Sequence, residues 1–334
     1  VNSLYLCKVI DTNYEDLVDK EIINKEIMSK VSEKDNSNFT SEDLAKQISD
    51  KINWTGGESV VVQVGDQVDR CRPKEKMCNE EGATIDDEPS DLLILYFMTM
   101  IDKKARKHKG KVISLFGNHE LMQTFGNFSY VSKENFELFE NVNDRKKKFS
   151  IGEKYSKFMA CTRLASVIIG SNIFIHAGII PEFLKENNYN SNNSHKKIDE
   201  SNKKIREYLL NKTNSKNIKY IIRNRNSIFW TRILGNIPPN VNNDDVVCEK
   251  YLKPVLKIFK CNNMIVGHTP QSFQFHGHGI TSTCLSKNKN GLHRVDIGSS
   301  KAFQDFDNTF SETSEVMEGR NIQVLKIEND KDIT

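Results

Sequence analysis

Val60-Val61-Val62-Gln63-Val64-Gly65-Asp66-Gln67-Val68-Asp69-Arg70 is the stretch on which the fold turns. Its β-branched run predicts a buried strand, and Gly65-Asp66 predicts that the strand's C-terminal end opens into a loop. The rhythm returns three times. Lys111 to Phe116 leads into Gly117-Asn118-His119-Glu120, Ile173-Phe174-Ile175 into His176-Ala177-Gly178, and Met264-Ile265-Val266 into Gly267-His268-Thr269-Pro270. These loops hold Asp66 and Asp69, Asn118 and His119, His176, and His268. A lone histidine at a strand end is more often a hydrogen-bonded structural residue, and Gly-Asp is commonly only a turn. Four such loops in one chain weigh more, because α/β sheets gather ligands outside the carboxyl ends of their strands.

The donors are oxygen and imidazole, without thiolate. That set suits manganese, iron or zinc better than calcium. Two ions bridged by one carboxylate clamp the attacking and leaving oxygens of an in-line displacement. Arg70 and Arg232 offer bidentate contacts to a phosphate.

Outside these loops the chain alternates between ordered and polar stretches. Leu4, Leu6, Val9 and Ile10 fall at helical spacing, and Trp54-Thr55-Gly56-Gly57 is a turn signal. Residues 12 to 50, rich in Lys, Asn, Asp, Glu and Ser, read as an exposed helical insertion. Ser90 or Asp91 caps a helix through Leu92, Leu95 and Tyr96, which the basic segment 103 to 111 ends. Residues 132 to 160 read as mostly helical, with Arg145-Lys146-Lys147-Lys148 as a solvated face. Val167 to Ile175 predicts a hairpin about Gly170-Ser171. Residues 185 to 226 read as a second solvated insertion, and 246 to 259 as an amphipathic helix. Sheet-like runs follow at 292 to 297 and 322 to 327.

The 334 residues suffice for one large domain or two small ones. We expect one domain over 1–334, interrupted at about 12–50 and 185–226. A net charge of +3 is too small an excess to argue for nucleic-acid binding. No apolar run of about 18 residues suggests a membrane span. The seven cysteines are odd in number and scattered, with no Cys-x-x-Cys. That predicts no disulfide framework, no thiolate zinc site, and a cytoplasmic or other reducing compartment. Val1-Asn2-Ser3 shows neither a methionine nor a signal-peptide pattern, and reads as an internal or processed start. Oligomeric state is not legible.

The four loops, in order, resemble the motifs of the phosphoprotein phosphatases within the calcineurin-like metallophosphoesterase superfamily. The resemblance runs from about residue 50 to 305. Phe229-Trp230-Thr231-Arg232 is similar to the segment that carries a second phosphate-binding arginine. Asp296-Ile297-Gly298-Ser299-Ser300-Lys301-Ala302-Phe303 resembles the late motif of the bacterial-like branch called Shewanella-like phosphatases. The resemblance implies a two-sheet β-sandwich flanked by helices, an α/β fold, and hydrolysis of a phosphomonoester on a phosphoprotein or phosphopeptide. It implies two metal ions, with Asp66 bridging them and Asn118, His176 and His268 completing the second. It makes Arg70 and Arg232 phosphate-binding, His119 the general acid and Asp69 its orienting carboxylate, with attack by a metal-bridging hydroxide.

Two departures stand out. The family opens with an Asp-x-His motif that supplies the remaining first-metal ligands, and this chain has none; we expect it upstream of Val1. The family usually has glycine where this chain has Cys71, whose thiol invites a redox-sensitivity reading against the simpler one that it is tolerated. Two alternatives follow. Diadenosine polyphosphate hydrolases share Gly-Asn-His and His-Ala-Gly, but typically lack the second acid present here as Asp69. A metal-poor pseudophosphatase would bind phosphorylated partners through Arg70 and Arg232. His276-Gly277-His278-Gly279 reads as a glycine-rich loop rather than a metal pair.

Overall fold

A computed structural model describes residues 1–73, 76–84, 87–213, 216–271, 279–298 and 322–334. The first strand, β1 (Val60–Gln63), pairs in parallel with β2 (Lys111–Leu115), which pairs in parallel with β3 (Arg163–Leu164). Parallel neighbours need a crossover. Here it contains the helix Asp91–Arg106, whose Leu92, Leu95, Phe97, Ile101 and Ala105 are buried. Because β1 and β2 run the same way, Gly65-Asp66 and Gly117-Asn118 leave the sheet at one edge.

The second sheet has five strands in the order β4 (Ser166–Ile169), β5 (Asn172–Ile175), β6 (Asn263–Val266), β8 (Leu292–Arg294), β7 (Thr281–Thr283). The hairpin expected about Gly170 is β4–β5, which is antiparallel. β5 and β6 are parallel, so His176 and His268 also emerge at a common edge. A short antiparallel pair, β9 (Ile327–Glu328) and β10 (Asp332–Ile333), follows. The two larger sheets face each other across a cavity of about 1710 Å³. Val60, Val62 and Val64 line one wall, and Phe174, Ile265 and Val295 another.

Several expectations are corrected. Residues 12 to 50 are not an exposed insertion. The helices Tyr14–Asp19, Lys25–Lys30 and Ser41–Asp50 bury Leu17, Met28, Leu44, Ala45 and Ile48 in the main core. Their polar composition covers only the outer faces, and Asn13–Asp16 and Thr40–Asp43 form capping boxes. Likewise Ser194–Leu209 buries Ile198, Ile205, Tyr208 and Leu209 while its other side is polar. The helix expected over 246–259 is two, Val246–Tyr251 and Lys253–Phe259. Pro254 has no N–H to carry the ladder across the junction. Arg145 leads a lysine run yet is fully buried.

The cysteine reading is also overturned. Cys71 is bonded to Cys78, and Cys248 to Cys284. Spacing along the chain does not report distance in the fold: 36 residues separate the second pair, whose Cα atoms lie 5.6 Å apart. The argument for a cytoplasmic or reducing compartment loses its ground, as does the idea of a free Cys71 thiol. Among the described residues, no helix is long and apolar enough to cross a membrane.

Candidate active site

Glu120 joins the first two ligand loops. It lies at the third position of the helix Asn118–Thr124, where a capping box returns its carboxylate to Gly117 N–H. The same carboxylate accepts from Asp66 N–H at 3.0 Å and Gln67 N–H at 2.5 Å. One buried carboxyl group, its pKa pushed up by burial and by the Asp66 charge, thus pins both strand-end loops. The loops touch so closely that a Cβ on Gly117 would collide with the Asp66 carboxylate. Asp66, Asp69 and His268 all have positive φ, near 55°, 70° and 67°. Such backbone costs free energy in a non-glycine residue and persists where the surroundings enforce it.

The sheets bring their donors together. Asp66 Oδ2 lies 3.3 Å from His176 Nε2, and His176 Nε2 lies 3.0 Å from Asn118 Oδ1. Ligand atoms of Asp66, His176 and His268 fall within 4.8 Å of one another. Both imidazoles are oriented by backbone carbonyls. His176 Nδ1 contacts Val64 O at 2.8 Å, and His268 Nε2 contacts Trp230 O at 3.2 Å. A carbonyl only accepts, so each of these nitrogens carries a proton, which turns the other nitrogen of each ring toward the cluster. The lone-pair nitrogen of His268, Nδ1, is buried with no hydrogen-bond partner among the described residues. A buried acceptor left open beside a carboxylate and a second imidazole fits a divalent metal ion.

A His–Asp pair adjoins this cluster. His119 Nδ1 lies 2.8 Å from Asp69 Oδ2, and His119 Nε2 faces Asp66 Oδ2 at 4.0 Å. Gln123 Nε2 donates to Asp69 Oδ1 at 2.6 Å, and Asp91 Oδ1 accepts from Asp69 N–H at 3.1 Å. Tyr130 stands edge-on to His119 with centroids 4.9 Å apart.

Charge follows this geometry. Burial works to raise the Asp66 pKa, but the facing His176 and His119 override it and hold the carboxyl well below the usual range. Burial opposes protonation of His119, yet Asp66 and the hydrogen bond to Asp69 raise its pKa. His176 is raised in the same sense, the Asp66 carboxylate outweighing burial. His268 is pushed well down by burial, then by His176 and Arg232.

The two expected phosphate arginines are placed differently. Arg232 Nη1 donates to His268 O at 3.2 Å, and Asp66 acts on its charge, so it stands at the cluster. Arg70 Nη1 instead lies 3.1 Å from Asp87 Oδ1 and donates to Ser90 Oγ at 3.1 Å. Arg72, which the reading of the sequence missed, donates to Asp69 O and Cys71 O at 2.8 Å and lies 5.2 Å over the Tyr130 ring. Its charge acts on both His119 and Arg232. No local signal marks Arg72 or Glu120 beyond their adjacency to the motifs. His276 and His278, and the late motif from Ser299, lie outside the described residues.

A mixed α/β arrangement with an Asp–His–Asn cluster at converging strand ends defines a metallophosphoesterase. Residues 37–272 match the calcineurin-like phosphoesterase family, and the chain belongs to that family. It is a hydrolase, and its family implies divalent metal ions. Among relatives, it is 37% identical over 253 residues to uncharacterized protein R398 of Acanthamoeba polyphaga mimivirus, covering 71% of this chain and 96% of that protein. It is 24% identical over 307 residues to Shewanella-like protein phosphatase 2 of Arabidopsis thaliana, covering 78% of this chain and 68% of that one. A solved cold-active protein tyrosine phosphatase superposes with a TM-score of 0.54 at 20% identity, over 75% of this chain. The chain spans 62% of that structure's length. The likeness bears out the fold expected from the sequence.

Proposed function

We propose that this chain hydrolyses phosphomonoesters on phosphoproteins or phosphopeptides. The observation that carries the reading is the His119–Asp69 pair, aimed from the three-stranded sheet at the Asp66–His176–His268 cluster. Asp66, Asn118, His176 and His268 would hold metal, of manganese, iron or zinc, as part of a dinuclear centre. Bound there, the metal supplies Lewis-acid charge to the phosphoryl oxygens. Arg232 orients the phosphoryl group, and Arg72 stands where a second guanidinium is wanted; Arg70, held by Asp87, turns to phosphate only by giving up that pair. His119 Nε2 delivers a proton to the leaving oxygen, and Asp69 keeps the ring in the orientation and tautomer that present it. Tyr130 stands beside His119, with Arg72 over its ring.

A second reading rests on the absent Asp-x-His and the cavity that opens beside Asp66. On this reading the chain would bind phosphorylated partners through its arginines without turning them over. The test is manganese-dependent hydrolysis of para-nitrophenyl phosphate, a phosphotyrosyl peptide and diadenosine tetraphosphate, with Asp66→Asn as control. Hydrolysis of the first two, lost in Asp66→Asn, supports the proposal. Preference for the dinucleotide moves it to nucleotide hydrolysis, and peptide binding without turnover replaces it with the recognition reading.

A further inference from the structure

Arg145 sits in surroundings that match its chemistry poorly. It opens the run Arg145-Lys146-Lys147-Lys148, and Lys146 and Lys147 are exposed as a solvated helix face should be. Arg145 itself points inward and is fully buried. Its guanidinium carbon lies 4.9–5.6 Å from the ring centroids of Phe128, Phe136, Phe139 and Phe149. Desolvating a guanidinium in such a cage is costly unless its donors are placed. They are placed in one direction. Nε and Nη2 both donate to Gln123 Oε1, at 3.2 and 2.8 Å, while Nη1 donates to Asn135 O at 2.8 Å.

The consequence lies at Gln123. Either end of an amide can face a neighbour, but here the oxygen is claimed by two donors from one fork. The NH₂ end must therefore face Asp69, and it donates to Oδ1 at 2.6 Å. Asp91 fixes the Asp69 backbone from the other side, and lies 3.7 Å from Arg145 Nη2. With Oδ1 committed, Asp69 offers Oδ2 to His119 Nδ1. The chain Arg145–Gln123–Asp69–His119 is ordered end to end.

We propose that Arg145 and Gln123 are positioning residues for His119: they fix the plane of the Asp69 carboxylate and through it the direction of His119 Nε2. The inference rests on the reading of His119 as proton donor to the leaving oxygen. Arg145 and Gln123 touch no reacting atom; a loosened Asp69 lets the ring swing and the proton miss.

The informative variant is Gln123→Glu. It conserves volume and gives Arg145 a carboxylate; in its ionised form it presents no donor to Asp69 and sets a like charge beside Oδ1. We expect a roughly 10- to 100-fold fall in kcat on phenyl phosphate, part of the 10²–10⁴ a general acid supplies, with KM changed less than about threefold. On para-nitrophenyl phosphate, whose leaving group needs a proton less, the fall should be several-fold smaller. Arg145→Lys, which keeps the charge and one donor toward Gln123, should fall between Gln123→Glu and the unaltered chain. Circular dichroism checks folding; if Gln123→Glu does not fold, the shorter amide in Gln123→Asn, which cannot span to Asp69, takes its place in the same comparison. Equal losses on the two esters, or none, overturn the proposal. His119→Asn separates the two levels: if it shows the ester-dependent loss and Gln123→Glu does not, only the positioning role fails. If His119→Asn shows none, or the unaltered chain hydrolyses neither ester, the reading on which it rests fails as well.

Discussion

The two sheets deliver their donors to the same place by different means. On the three-stranded side, Asp66, Asp69 and His119 are held by other side chains: Glu120 under the loops, Gln123 and Asp91 around Asp69. On the five-stranded side, His176 and His268 are held by the carbonyls of Val64 and Trp230. A histidine needs only one acceptor to set its tautomer, and any backbone supplies that. A buried carboxyl group needs donors, and backbone N–H groups supply them to Glu120 and Asp91 as the Gln123 amide does to Asp69. The side rich in acids is therefore the side with a network behind it, and each expected outcome below asks whether that asymmetry is real.

The largest effect should come where the sheets meet. Asp66→Asn and His176→Ala each should cost at least the ~10²–10³ in turnover that a lost electrostatic group costs. Titration calorimetry should show manganese binding weakened in both. If Asp66→Asn alone weakened it, the five-stranded side would not be a ligand wall. Next, His119→Asn should lower kcat by roughly 10²–10⁴ while leaving manganese binding intact; weakened binding would place His119 in the cluster instead.

Stability effects come below these. Cys248→Ser opens a bridge between the helix Val246–Tyr251 and the end of β7, closing 36 residues. It should cost about 2–4 kcal/mol in urea unfolding, with turnover of the folded fraction retained, because the histidines depend on carbonyls elsewhere. Glu120→Gln should cost about 1.5–3 kcal/mol, the range for a hydrogen bond to a charged group. Unlike the cysteine variant, it should also lower turnover, since it loosens both loops.

The smallest expected effect is in pH dependence. Burial, then the Asp69 charge, pushes the Asp91 carboxyl up from 3.8 to about 7. The folded chain therefore holds this proton more tightly than the unfolded chain does. Its contribution to stability is full below about 4 and is lost as pH rises through about 7. Asp91→Asn should flatten that decline, shifting the difference in Tm between pH 5 and pH 8 by a few degrees. An unchanged slope would mean that Arg145 keeps Asp91 ionised.

The placement of the candidate donors was legible because it is local. A β-branched run followed by Gly-Asp or Gly-Asn-His carries its own strand and its own exit loop, and Asp66, Asn118, His176 and His268 stand where that rhythm put them. The hairpin at Gly170 and the helix from Asp91 were legible for the same reason, since period and turn chemistry act over a few residues. What required the fold was every relation across distance. Polar composition hid the apolar faces of Tyr14–Asp19 and Ser41–Asp50, because a helix can bury one side whatever its average. Scattered cysteines became two bridges, because topology rather than spacing sets which side chains meet. Arg70 turned to Asp87, Arg72 took a place beside His119, and Arg145 left its lysine run for a cage of rings. A charged side chain's partner is chosen by what the packed elements bring within a few ångströms, and a residue's own neighbours in the chain carry no record of that choice.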